Sequence, residues 1–250
     1  MSKKTILLVD NSLDTTGAFN ALLRNVLDLK DEFNFIFVIH QLSVNDKVLK
    51  KLEIKYYKLN MIEISKRPYD LLLYLPQLLL NAIRLSKIVR DEKVSIIHVN
   101  DVYNMLGILT KCFSSITLVT HIRRMPESFP RILYKTWHFF HVRFTDVITA
   151  VSGANASFFN EHKNIHVIYD KVVDNEKLAY DNSNNARVTK ILYLANYTRG
   201  KGQEHALKAL KLMLKQYGGK VQLNFYGGDF GLSKNLEFKQ ELIQESIKMD

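Results

Sequence analysis

ILYLANYTRGKGQEHALKAL, residues Ile191–Leu210, decides how the chain is read. Its opening is apolar, which predicts a strand over Lys190–Ala195. Next comes Thr198-Arg199-Gly200-Lys201-Gly202, where glycines alternate with cations. From Gln203 to Gln216 the pattern is that of an amphipathic helix. Strand, polar loop and helix form a unit that recurs along the chain. Short apolar strands are expected at Thr5–Val9, Phe35–Ile39, Lys55–Leu59, Ser95–Val99, Thr117–Thr120, Asp146–Ala150, His166–Ile168 and Val221–Tyr226. Helical stretches are expected at Ala18–Leu29, Leu75–Glu92, Asn100–Phe113, Arg131–Arg143, Gly153–Phe159 and Leu236–Lys248. Near-continuous apolar strands alternating with helices predict an α/β fold, a parallel sheet covered on both faces.

The polar segment Asp174–Arg187, DNEKLAYDNSNNAR, divides the pattern and reads as a linker. The expected organisation is a Rossmann-like domain over 1–173, a linker over 174–187, and a second unit over 188–250. That second unit holds two expected strands, where a doubly wound domain has about five or six. It is therefore expected to be incomplete.

The 250 residues are 47% hydrophobic and 24% charged, values of an ordinary folded domain. One cysteine, Cys112, excludes a disulfide framework and fits a reducing cytoplasm. The basic pair at the start precedes too short an apolar run for a signal peptide. The most apolar stretch, Asp70–Asn81, falls short of the roughly twenty residues a span requires. A net charge of +10 fits nucleic acid, an anionic membrane or phosphorylated ligands. No arginine-rich arm or aromatic RNA signature accompanies it, so nucleic acid is set aside. Lys66–Lys93 joins leucines to Lys66, Arg67, Arg84, Lys87, Arg90 and Lys93. Its first reading is a core-facing helix with a solvated side; its second is contact with anionic lipid.

Ligands of doubly wound sheets bind beyond the carboxyl ends of the strands. Those positions hold Asn11–Gly17, Asn100-Asp101, His121–Arg124, Ser152-Gly153, Asn196–Gly202 and Gly227–Asp229. The Thr198–Gly202 loop has the outline of a diphosphate site. Glycines allow close backbone approach, the helix start presents free N–H groups, and Lys201 adds a point charge. It is no Walker loop, because Gly202 stands where Ser or Thr would hold magnesium. A plain basic turn is the competing account, although cations at a helix N-terminus oppose its dipole. His121, beside Arg123 and Arg124, suits a site facing an anionic substrate. His138 and His141 lack a third ligand and read as packing or surface residues. The start ILLVDN resembles a response-regulator receiver, but the third strand ends in Leu59-Asn60, without the phosphoacceptor Asp that fold needs. Glu237 and Glu245 read as a solvated face.

Five segments together resemble the retaining GT-B glycosyltransferases of family 4. These are Thr15–Ala18 for the glycine loop, Ser95–Asp101 for the "D-V-I-H-x-H" strand, and Leu118–Arg124 for the "T-x-H" strand end. Ile148–Phe159 matches the strand-Ser-helix segment, and Ile191–Leu210 the "G-R-x-x-x-x-K-G" segment. The departures are a single glycine, Gly17, in place of a pair; Tyr169–Asp174 in place of "P-N-G-V-D"; and Asn196 in place of the motif arginine, with Arg199 nearby. The late "E-G-F-G" and paired-glutamate motif has no counterpart.

The resemblance implies transfer of a sugar, with retention, from a nucleotide-diphosphate donor to a glycan, lipopolysaccharide or lipid-linked acceptor. It implies a diphosphate bound by Gly17, Arg199, Lys201 and Gly202, with His121 as the catalytic residue near donor sugar and acceptor. Asn100, Asp101, Arg123, Arg124 and Asn196 would line the site. Neither a metal nor a cofactor is implied. A cytoplasmic location with peripheral membrane contact fits a lipid-linked acceptor. The alternative is a non-catalytic subunit whose second domain a partner chain completes.

Overall fold

A computed structural model describes residues 3–62, 68–171, 188–217 and 220–248. The chain divides into two units, Met1–Asp174 and Asn175–Asp250. The linker expected over 174–187, and Lys66 and Arg67 of the basic-leucine stretch, lie outside the described residues.

The first unit is built on seven parallel strands: β1 (Thr5–Asp10), β2 (Asn34–His40), β3 (Tyr56–Leu59), β4 (Val94–Asn100), β5 (Thr117–Ile122), β6 (Val147–Ala150) and β7 (Ile165–Val167). Their order is β3-β2-β1-β4-β5-β6-β7, so the direction of winding reverses between β1 and β4. Such a reversal opens a crevice at the carboxyl ends of the two strands. TILLVD and NFIFVIH are apolar almost throughout because helices cover both faces.

On one face lie α1 (Gly17–Leu29) and the short α2 (Asp46–Lys51). Phe19, Leu22 and Leu49 pack there against Leu8, Phe37 and Ile39. On the other lie α3 (Pro68–Asp91) and α4 (Leu106–Lys111). Ala82, Leu85, Val89, Leu106 and Ile108 pack there on Leu7, Val9, Ile97, Val99 and Leu118. Further along, Tyr134 and Trp137 of α5 (Arg131–Phe144) pack with Ile122, Ile148, Ala150 and Phe159. The five-residue α6 (Gly153–Ser157) follows β6, with Ser152 capping it through a bond from Asn155 N (3.2 Å).

The helix expected over Asn100–Phe113 is shorter than the apolar pattern implies, spanning Leu106–Lys111. Asn100 completes β4, Asp101 adopts a left-handed φ of 89°, and the Asn104 side chain accepts from Leu106 N at 3.1 Å. These polar residues use their own backbone contacts and delay the helix by more than a turn. α2 escapes sequence reading because six residues carry one buried apolar side chain, Leu49.

The second unit has a parallel pair, β8 (Thr189–Leu194) and β9 (Val221–Tyr226), with α7 (Gln203–Tyr217) and α8 (Ser233–Ile247). Its core is Leu207, Phe238 and Leu242, with Tyr197, Leu223 and Phe225 against them. Leu192 and Leu194 stay exposed, and so do Glu237 and Glu245.

Candidate functional site

At the carboxyl edge of the first sheet the polar residues form one connected chain. Asp10 ends β1 and is buried. One of its oxygens accepts from Ser12 N (3.0 Å) and the Ser12 hydroxyl, the other from Asn100 Nδ2 (2.5 Å). Asn100 Oδ1 in turn accepts from Arg123 Nε (2.6 Å), and Arg123 Nη1 grips both oxygens of Asp170 (2.9 and 2.8 Å). The Arg123 side chain is 6% exposed; Asn100 and Asp170 meet its Nε and Nη1, while its Nη2 is buried without a hydrogen-bond partner among the described residues. Asp101 caps the turn after β4. Its Oδ1 accepts from Val102 N (2.9 Å) and Arg123 N (3.3 Å), and its Oδ2 faces Arg124 Nε at 3.3 Å. Burial raises the Asp101 carboxyl above its ordinary range against these donors.

His121 stands one residue from the end of β5, 3% exposed, with its ring stacked on His98 at 5.6 Å. Its pKa is pushed down to about 2 by burial first, then by Arg123 and His98. His98 falls to about 4, from burial and Arg123. Both rings are neutral near pH 7, and His121 Nε2 is buried without a partner among the described residues. A neutral imidazole of this kind holds or orients a polar group and stores no proton. His141 is buried too, bonded to Val102 O (2.7 Å) and facing Thr120 Oγ1 (3.1 Å), while His138 Nε2 meets Phe158 O at 2.6 Å. Both are packing residues.

Beside this edge lies a cavity of about 650 Å³. Its walls come from the segments after β1, β3, β4 and β5 and from α3 and α5: Asn11, Met61, Tyr103, Phe129, Trp137 and Arg124 among them. Arg124 lies over the rings of Tyr103 (4.8 Å) and Phe129 (5.7 Å), so a cation faces a mainly apolar space. Large apolar pockets with few polar groups are the usual form of ligand sites.

Gly17 is the first residue of α1, and Thr16 caps that helix by accepting from Phe19 N (3.1 Å). Nothing lies within 4 Å of where a Gly17 side chain would begin, so the helix start is open.

The second unit supplies a separate set. Asn196 follows β8, and its side chain accepts from Gly228 N at 3.1 Å, while its carbonyl accepts from Gln203 Nε2 at 2.8 Å. Gly200 and Gly202 have φ of 88° and 89°, a conformation glycine adopts without strain. The loop they form ends where α7 begins. The Lys201 ammonium is exposed and makes no ion pair or hydrogen bond among the described residues. Arg199 is engaged: its Nη2 binds Glu241 at 2.6 and 2.5 Å and its guanidinium lies 4.8 Å over Phe238. Lys201 and the start of α7 thus offer open positive charge.

The structure therefore gathers Asn100, Asp101, His121, Arg123 and Arg124 at one sheet edge, of which Arg124 lines the cavity. It gathers Asn196, Lys201 and Gly202 around the second loop, and turns Arg199 to α8. Sequence reading missed Asp10, Asp170, Tyr103, Phe129 and Trp137. Asp10 carried one signal, its place at a strand end; the aromatic residues looked like ordinary core. No group of three or more His, Cys, Asp or Glu suited to a metal occurs among the described residues.

No family model and no curated protein matches the sequence. Solved structures do match. Anabaena HepE, crystallised with UDP, superposes with a TM-score of 0.73 at 17% identity, over 98% of this chain and 66% of that one. A glycosyltransferase from Rickettsia africae gives 0.73 at 18%, over 100% and 66%. The lipopolysaccharide outer core galactosyltransferase WaaB gives 0.62 at 15%, over 97% and 66%. The chain has the α/β, Rossmann-like fold of GT-B glycosyltransferases, and it spans 66% of the length of these structures.

Proposed function

We propose that the chain is a retaining glycosyltransferase of the family 4 type, or part of one. It would move a sugar from a nucleotide-diphosphate donor to a hydroxyl of a polysaccharide, lipopolysaccharide or lipid-linked acceptor. Folds of this kind carry many activities, so the proposal rests on the site. The observation that carries it is the loop at Lys201, where two left-handed glycines, an ammonium unpaired among the described residues and the start of α7 converge. A helix start with a neighbouring cation favours a phosphate group. HepE, of the same fold, was crystallised with UDP.

In this reading Lys201 and the backbone N–H groups from Gly202 onward meet the charge that develops on the leaving diphosphate. That supply of positive charge needs no metal or other cofactor. Gly17 leaves the α1 helix start of the first unit open. His121, neutral and unprotonated near pH 7, would hydrogen-bond a sugar or acceptor hydroxyl. Asn196 would hold the second loop in shape. Arg124 and the cavity beside it would receive the acceptor, while Arg123, Asn100 and Asp101 keep that edge rigid. Asp10 and Asp170 anchor the same network. A reducing cytoplasm, in keeping with the single cysteine, is the proposed setting.

Incubation with UDP-glucose, UDP-galactose or GDP-mannose and a bacterial glycolipid extract tests the proposal. Release of the nucleoside diphosphate, with the donor's anomeric configuration kept in the product by NMR, is the expected result. An inverted product would refute retention; absence of transfer from every donor would refute the activity.

A further inference from the structure

The outer side of α3, α4 and α5 differs from a solvated helix face. Leu72, Leu75, Leu79, Leu80 and Ile83 are exposed on α3, the first two at 74% and 69%. Phe113, just past α4, and Ile132, Phe139 and Phe144 of α5 are exposed as well, Ile132 at 81%. Single exposed apolar residues are normal; nine spread over three helices packed in sequence are not.

The charges on these helices are one-sided. Arg84, Lys87, Arg90, Arg131, Lys135 and Arg143 are exposed, and α5 has no acidic residue at all. Asp91 is the one acidic side chain described on the three helices. Leucines and phenylalanines set among cations, of which Arg90 alone faces an acidic residue of these helices, Asp91 at 3.9 Å, fit a surface that is apolar within and anionic at its boundary, which is a lipid bilayer. Nucleic acid would leave the apolar residues unused. Leu72–Asp91 is long and apolar enough to cross a membrane, but Ala82, Leu85 and Val89 on its inner side are buried in the sheet's core. The helix can therefore lie on a bilayer and cannot span one without opening the fold.

The cavity opens among the same helices. Tyr74 and Leu78 of α3 and Ile132, Leu133 and Trp137 of α5 form its walls, and Ile132 belongs to both the wall and the exposed set. We propose that this side of the first unit docks on an anionic lipid bilayer and seats the mouth of the Trp137 cavity at the lipid surface. Docking stands independently of the reaction. Its consequence for the acceptor, that the cavity takes the apolar chain of a lipid-linked glycan from the bilayer, rests on the transferase reading.

Vesicle flotation tests the docking, and fluorescence tests the seating. The chain should float with phosphatidylglycerol-containing vesicles and about tenfold less with phosphatidylcholine alone. Leu75→Ser with Leu79→Ser, and separately Arg84→Glu with Lys87→Glu, should each cut recovery about tenfold while melting as the wild type does. Equal recovery on both lipids, or variants that float as well as the wild type, would overturn the docking. Trp137 is the single tryptophan. Brominated acyl chains in the anionic vesicles should quench it, and flotation without quenching would overturn the seating of the cavity. Neither arm needs a nucleotide sugar, so failure to float and failure to transfer sugar are separate results.

Discussion

Asn100 donates its side-chain amide to Asp10 Oδ2 at 2.5 Å, joining β4 to β1 at the point where the winding of the sheet reverses. The pair closes the floor of the crevice that such a reversal opens. Because Asn100 also receives Arg123, one amide settles a buried carboxylate and a buried guanidinium together.

Asn100→Ala leaves both charged partners short of a bond inside the protein. It should lower the stability of the first unit by about 1–3 kcal/mol, read as a shift in the urea midpoint. Exchanging the pair, Asp10→Asn with Asn100→Asp, keeps a donor facing an acceptor and gives Arg123 a carboxylate. The double variant should be more stable than the sum of its single changes predicts. Strict additivity would show that the two residues do not act as a unit.

The fold was largely readable because parallel strands covered on both faces leave apolar runs, and TILLVD, NFIFVIH and VSIIHVN are such runs. α2 was not, since a helix of a turn and a half has no period to detect. The site was readable only in part. Lys201 and its glycines are local in sequence, so their pattern survives in one dimension. The Asp10–Asn100–Arg123–Asp170 chain joins four distant segments, and each residue by itself looks like loop chemistry. Arg199 shows the converse: its position in the loop pointed to the ligand, while Glu241, 42 residues later, takes its charge.

Three histidines with lowered pKa values, His121 and His141 buried and His98 partly buried, set the acid limit of the first unit. His98 and His141 are pushed down to about 4, and His121 to about 2. In the unfolded chain each returns to about 6.5, so between those values the unfolded state binds more protons. Their contribution is complete above pH 6.5 and is lost as pH falls below it. Stability should fall by about 1.4 kcal/mol per pH unit per histidine between pH 6 and 4. Urea midpoints across that range measure it, and replacing His141 with Gln should flatten the slope by one proton. A flat profile would show that these rings titrate alike in both states.

The second unit should open more readily than the first. Its described core is Leu207, Phe238 and Leu242, and two strands leave unpaired edges. Amides of β8 and β9 should exchange faster than those of β1 and β4. Gly227→Ala should accelerate them further, because the added carbon would sit 2.0 Å from the Ala195 carbonyl oxygen. Backbone overlap of that kind costs about 1–3 kcal/mol. Uniform protection of both units would contradict this.

Arg199→Ala should weaken UDP binding less than about threefold, since an exposed ion pair such as Arg199–Glu241 contributes about 0–1 kcal/mol to the fold and holds the guanidinium at α8. Calorimetry of that variant decides it. A loss of tenfold or more would mean that Arg199 leaves Glu241 to take the place of the motif arginine.

Lys201 is the center of the account, and titration calorimetry of UDP into the wild-type chain and Lys201→Ala tests it most directly. A bond from a cation to the diphosphate contributes about 1.5–3 kcal/mol, so the variant should bind about ten- to hundredfold more weakly. If the wild type binds UDP and Lys201→Ala binds it equally well, or if the wild type binds neither UDP nor GDP, the loop at Lys201 is not a diphosphate site of this chain.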